Sequence, residues 1–150
     1  MKNIILALFS GLISLSAFAA EGDKGIGILL GNPVGVTGKY WLPDNHAIDA
    51  GLGMSWGRHS NLSFHSDYLL QNDAAFYYND TVALDFYYGL GARMEFADEI
   101  ELGARIPLGL VHKYEDSAAD MFAEIAPIID FLGRTGLELH FGFGARYYFR

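Results

Sequence analysis

The chain has 150 residues, 51% of them hydrophobic, with 11 Phe and 9 Tyr, and a formal net charge of −8 from 18 acidic residues against 10 Lys and Arg. So acidic a surface is a poor partner for nucleic acid, and the absence of cysteine excludes disulfides, thiol chemistry and cysteine-ligated metal. A soluble domain of this size has few places to hide so many aromatics, so the composition favours a chain with an apolar environment outside it as well as a core within.

The N-terminus reads as a secretory leader. Lys2 supplies the positive charge, Ile4 to Phe18 the apolar stretch, and Ala17-Phe18-Ala19 the small-residue cleavage signal, which places the leader at 1–19 and a single domain at 20–150. The apolar stretch is short for a spanning helix, which needs roughly 20 residues. No later apolar run is long enough for a helical span, and loss of Lys2 makes the remaining chain more acidic still.

Eight strands follow, separated by turn signals. They are expected at 24–31, 36–42, 46–56, 62–71, 82–96, 100–113, 120–131 and 137–149. Asn32-Pro33-Val34-Gly35, Pro43-Asp44-Asn45, Gly57-Arg58-His59-Ser60-Asn61, Ala97-Asp98-Glu99 and Leu132-Gly133-Arg134-Thr135-Gly136 mark turns, and the longest connection is expected at 72–81. The first two strands are short for a membrane crossing unless they run into their turn. Pro107 and Pro127 fall in mid-strand, where each removes a ladder donor, so a bulge or local bend is expected there.

Alternation is consistent along all eight. Through the sixth strand the even positions are apolar, as in Ile26-x-Ile28-x-Leu30 and Leu84-x-Phe86-x-Tyr88-x-Leu90. The odd positions take over in the last two, from Met121, Ile125, Ile129 and Phe131 to Leu137, Leu139, Phe141, Phe143, Tyr147 and Phe149. The opposite face carries Lys39, Asp49, Asp67, Asp85, Arg93, Glu95, Glu101, Arg105, Asp120, Glu124, Asp130, Glu138 and Arg146, with His65 and His140. Most of the 18 glycines share that face, Gly51, Gly91, Gly103, Gly109 and Gly144 among them. Successive strand side chains point to opposite sides, so one face is greasy and the other charged.

Three features put the greasy face outside. The interior of an eight-stranded barrel is just wide enough for side chains and would be overfilled by eight rows of large apolar ones. Glycine among charges suits a crowded lumen. Tyr40, Trp56, Tyr68 and Tyr147 lie toward strand ends, as in the aromatic girdles of membrane barrels. The expected fold is all-β: an eight-stranded antiparallel up-and-down transmembrane barrel. A soluble periplasmic lipid-binding barrel, with the faces reversed, is the alternative.

Over its whole mature length the chain resembles the eight-stranded outer-membrane barrels of the OmpA and OmpX type. Gly144, Tyr147 and Phe149 resemble the C-terminal insertion signal of such proteins, although Gly142 takes the position that is usually polar and Arg150 follows Phe149. Gly38-Lys39-Tyr40-Trp41-Leu42, Arg105-Ile106-Pro107-Leu108-Gly109-Leu110 and Glu124-Ile125-Ala126-Pro127 resemble a group of small bacterial barrels without an assigned activity. The resemblance implies residence in a Gram-negative outer membrane, contact with its lipid, insertion by the barrel assembly machinery, a monomer, and both termini on the periplasmic side. The connection at 72–81 would then be periplasmic, with Phe76, Tyr77 and Tyr78 as an interfacial anchor or contact patch.

Charge buried in so narrow a lumen must be paired. The expected network is Lys39, Arg93, Arg105 and Arg146 facing Asp49, Asp67, Asp85, Glu124 and Glu138, with each guanidinium bridging carboxylates. Glu95, Glu101, Asp120 and Asp130, nearer strand ends, are expected in water at the rims. Ser63, His65 and Asp67 share one face of a strand, about 7 Å apart in a row, too far for a catalytic relay. His46 and His59 sit at turns and His112 near a strand end. The sequence assigns no catalytic, cofactor-binding or metal residue and implies no cofactor. The leading expectation is a non-enzymatic envelope protein with a charge-plugged lumen. The alternatives are a narrow cation-preferring pore or small-solute binding barrel, and a lipid-modifying enzyme.

Overall fold

The computed structural model describes residues 23–56, 60–114 and 117–149. The leader expected at 1–19, part of the turn at 57–61 and Arg150 lie outside them. Nine strand segments form: β1 (Lys24–Asn32), β2 (Val34–Trp41), β3 (His46–Ser55), β4 (Asn61–Tyr77), β5 (Ala83–Phe96), β6 (Ile100–Arg105), β7 (Leu108–Tyr114), β8 (Ala119–Leu132) and β9 (Gly136–Phe149). All pairings are antiparallel, and β6 and β7 occupy one crossing between β5 and β8. The sheet therefore has eight crossings. It closes where β9 pairs with β1 from Lys24↔Phe149 to Asn32↔Phe141, leaving no free edge.

Pro107 explains the split. It has no N–H to give the ladder, and pairing stops at Ile106-Pro107. The gap is closed on both sides, as Ile106 N–H donates to Pro127 O and Gly89 N–H to Pro107 O, each at 3.0 Å. The count of residues is equal across the break, so register is kept. Pro127 itself stays within β8.

The short first strands do run into their turn, with Pro33 alone between β1 and β2. The connection expected at 72–81 is instead mostly strand. After an irregularity between Asn72 and Phe76, β4 resumes with Phe76↔Leu84 and Tyr77↔Ala83. The polar and small run Asn72-Asp73-Ala74-Ala75 breaks the alternation and so reads as loop. In the structure Ala74 takes a left-handed φ of 50° and its N–H donates to Asp85 Oδ1 at 2.6 Å. The hairpin then turns on Asn79, whose Oδ1 accepts from Thr81 and Val82 N–H.

The two faces separate as the alternation predicts. Ile26, Ile28, Tyr68, Leu90, Ile129, Phe141 and Phe143 point out and are exposed, while Lys39, Asp67, Arg93, Arg105, Asp120 and Arg146 point in and are at most 3% exposed. Trp56 and Tyr147 are exposed toward strand ends, whereas Tyr68, expected near an end, lies exposed in the middle of the longer β4. The lumen is not charged throughout. Toward the Lys24 end, Leu29, Ala47, Leu69, Tyr87, Val111 and Phe122 pack into an apolar block with Trp41 against it.

Lumen glycines face the largest lumen side chains across the strand pairs. Gly51 is opposite His65, Gly91 opposite Asp67, Gly109 opposite Tyr87 and Gly144 opposite Phe122. A Cβ at Gly51, Gly91 or Gly109 would collide with that partner, and one at Gly144 would sit 2.7 Å from the Phe122 ring. Gly136, at the rim, has nothing within 4 Å of a Cβ. Gly109→Val is therefore expected to overpack the lumen and destabilise the barrel by about 1–3 kcal/mol. Gly136→Val is expected to stay within about 0.5 kcal/mol. Urea unfolding of both variants in detergent micelles checks the difference.

Candidate functional site

The lumen polar groups fall into three clusters. Nearest the Pro33 end, Arg93 on β5 is fully enclosed by carboxylates from four strands. Its Nη1 donates to Glu95 Oε2 at 2.9 Å and Glu138 Oε2 at 2.7 Å, and its Nη2 to Asp130 Oδ1 at 2.8 Å, with Glu101 Oε2 at 3.5 Å. A planar guanidinium has five donors, which suits one cation to several acids. Glu95 is further held by Ser55 Oγ and Asn61 Nδ2, each at 2.9 Å.

In the middle, Arg105 on β6 bonds both Asp67 on β4 and Glu124 on β8, and Tyr87 donates its hydroxyl to Glu124 at 2.7 Å. Arg146 on β9 donates from Nε to Asp120 at 3.1 Å, has Asp49 at 4.0 Å and lies 4.1 Å over the Phe122 ring. Tyr148 donates to the other oxygen of Asp120 at 2.5 Å.

Toward the Lys24 end, Lys39 Nζ donates to Gln71 Oε1, and Gln71 Nε2 to Asp85, both at 2.9 Å. Among the described residues no carboxylate lies within ion-pair distance of Lys39; its ammonium sits 4.1 Å over the Trp41 ring. Lys113 reaches Asp85 at 3.1 Å and Asp73 at 2.9 Å.

The structure thus places Lys39, Asp49, Asp67, Asp85, Arg93, Arg105, Glu124, Glu138 and Arg146 on the lumen side but divides them among the three clusters. Three expectations are corrected, the first being that Lys39 faces acids, since it meets Gln71 and Trp41 instead. Glu95, Glu101, Asp120 and Asp130 are not rim groups in water: each is at most 9% exposed, drawn in by Arg93 or Arg146. Glu138, expected deep in the network, keeps a side chain that is 45% exposed. Trp41, Ser55, Asn61, Gln71, Tyr87, Lys113 and Tyr148 were not legible as network members. Their lumen parity was the available signal for all but Asn61, and charge alone does not capture it.

Above Arg93 a cup of about 420 Å³ opens at the Pro33 end. Its walls include Glu95, Asp98, Glu99, Glu101 and Glu138, with Arg134 the cation among the described lining residues.

Two sets of metal-ligating side chains converge, Asp49 with His65 and Asp67, and Glu95 with Glu138 and His140, each with ligand atoms within 4.8 Å of one another. In the second set Arg93 Nη1 already stands among the ligands, 3.4 Å from His140 Nε2. Ser63, His65 and Asp67 share the lumen face without forming a relay; Ser63 Oγ and His65 Nδ1 are both buried without a partner.

The closed ring of eight antiparallel crossings, with charge inside and apolar side chains outside, is the expected eight-stranded antiparallel barrel, with the fold of OmpA-type barrels. Among solved structures, the chain is similar to the N-terminal β-barrel domain of OprF from Pseudomonas aeruginosa, with a TM-score of 0.62 and 14% identity over 87% of this chain and all of that one. No protein-family model matches the sequence, and no curated protein does.

Arg93→Leu leaves a nest of buried acids without their cation, and is expected to cost about 3–5 kcal/mol of stability. Lys113→Ala removes a half-exposed pair and is expected to cost under about 1 kcal/mol. Urea unfolding at neutral pH in detergent micelles checks both.

Proposed function

We propose that this chain spans a Gram-negative outer membrane as a monomeric, non-enzymatic structural component of the envelope, its lumen plugged by the three charge clusters. The observation that carries this reading is the inverted polarity. Ile26, Leu90, Ile129, Phe141 and Phe143 are more than half exposed, while Arg93, Arg105 and Arg146 are buried. In water such a surface would aggregate, whereas in a bilayer it is the favoured one. The likeness to the OprF barrel domain supports the fold on which this rests.

On this reading the leader at 1–19 directs export, and the barrel assembly machinery recognises Gly144, Tyr147 and Phe149 on the last strand before the barrel meets outer-membrane lipid. The Lys24 end faces the periplasm, where Phe76, Tyr77 and Tyr78 on the projecting β4–β5 hairpin meet the bilayer interface. The connections at the other end are all short, which argues against an adhesin or receptor, since those need protruding surface.

The cup at the Pro33 end favours a second reading, a narrow cation-preferring path or a small-solute site. Its wall is acidic, but its floor is the Arg93 cluster.

Two measurements test the proposal. The outer-membrane fraction, run on a detergent gel with and without boiling, is expected to show a heat-dependent mobility shift. Recovery in the soluble periplasm without a shift would overturn the assignment. In planar bilayers the folded protein is expected to show no steady conductance; a cation-selective current lost in Glu138→Gln would replace the plug with the pore.

A further inference from the structure

Asp49 on β3 sits directly opposite Asp67 on β4 inside the lumen, and the two are 4% and 2% exposed. Like charges directly opposed destabilise a strand pair, and a low-dielectric interior deepens the repulsion. In each, one oxygen turns to a guanidinium: Asp49 Oδ2 lies 4.0 Å from Arg146, and Asp67 Oδ2 is bonded by Arg105. The other oxygen of each, Oδ1, is buried without a hydrogen-bond partner. His65, two residues before Asp67 on the same face, is 3% exposed, and its Nδ1 is equally without a partner. The three side chains offer ligand atoms within 4.8 Å of one another. The place is built for the ring, because Gly51 opposite His65 has no room for a Cβ.

We propose that Asp49, His65 and Asp67 form a binding site for one divalent metal ion of the zinc class. Two carboxylate oxygens and one imidazole nitrogen are a donor set that zinc accepts, with water completing the four-coordinate shell. Bonds of 2.0–2.2 Å in a tetrahedron set donors about 3.4 Å apart, which side-chain rotation can reach from atoms that already lie within 4.8 Å of one another. The acids of the middle cluster, Asp49, Asp67, Asp120 and Glu124, outnumber Arg105, Arg146 and the neighbouring Lys39, so a cation lowers the field there. The Arg93 cluster differs in that its guanidinium takes the central place among the ligands. The ion enters before the strands close, and the site holds it whichever end of the barrel faces outward.

The test is to refold the protein in detergent with zinc, remove free metal by gel filtration, confirm folding by the heat-dependent gel shift, and measure bound zinc. One zinc per barrel is expected, with affinity falling at least about tenfold in Asp49→Asn and in His65→Gln, and unchanged in Glu138→Gln. Zinc K-edge absorption on the unmodified barrel, which needs no variant to fold, is expected to read one imidazole nitrogen with oxygen ligands and no second imidazole. No retained zinc would overturn the proposal and leave a shared proton between the two acids. Zinc retained equally by the Asp49 and His65 variants, or a site with two imidazoles, would place the metal elsewhere and overturn it as well.

Discussion

Closing eight strands into a ring fixes a lumen little wider than the side chains that fill it. Most groups that point inward are therefore held by their neighbours. The three arginines do this by gathering acids from several strands at once, as Arg93 does with β5, β6, β8 and β9. Each such pairing also fixes the register of the strands it joins. The ion pairs thus bear on the barrel's uniqueness as much as on its stability, since a slipped strand would strand its charges.

The same width governs the glycines. A ring holding His65, Tyr87, Phe122 and three guanidiniums has no room for side chains facing all of them, and Gly51, Gly109 and Gly144 stand directly across from three of the bulky groups. Filling is completed at the Lys24 end by the apolar block around Leu69 and Tyr87, with Trp41 folded beneath Lys39. Charge and grease meet at the rings of this block: Tyr87 bonds Glu124, Phe122 lies under Arg146 and Trp41 under Lys39.

Much of this could be read from the chain alone. Alternation with the apolar set on one parity gave the strands to within a few residues at nearly every end, because a one-residue slip exchanges the two faces of a strand. Pro107 announced the break between β6 and β7. The β4–β5 extension was hidden, because Asn72-Asp73-Ala74-Ala75 carries no alternation and its pairing is set by Asp85 across the hairpin. Partner choice in the lumen was also hidden. Which acid an arginine reaches depends on the stagger between strands, so Asp130 and Glu101 belong to Arg93 although both lie near strand ends. Lys39, expected to face acids, meets Gln71 and Trp41, and neither is marked by charge.

Cross-strand partners share the same numerical parity around most of the ring, as in Lys39↔Asp49 and His65↔Arg93. Between β7 and β8 they do not: Val111 pairs with Phe122, and both face the lumen. Near the end of β8 the strand itself takes up one extra residue, Phe131, where pairing shifts from Leu102↔Leu132 to Gly103↔Asp130. A single inserted or deleted residue in a strand interior would turn the charges beyond it to the outer face and the leucines into the lumen, whereas the same change in a turn costs only slack. Related chains should accordingly differ in length at their hairpin tips, with strand interiors drifting by substitution alone.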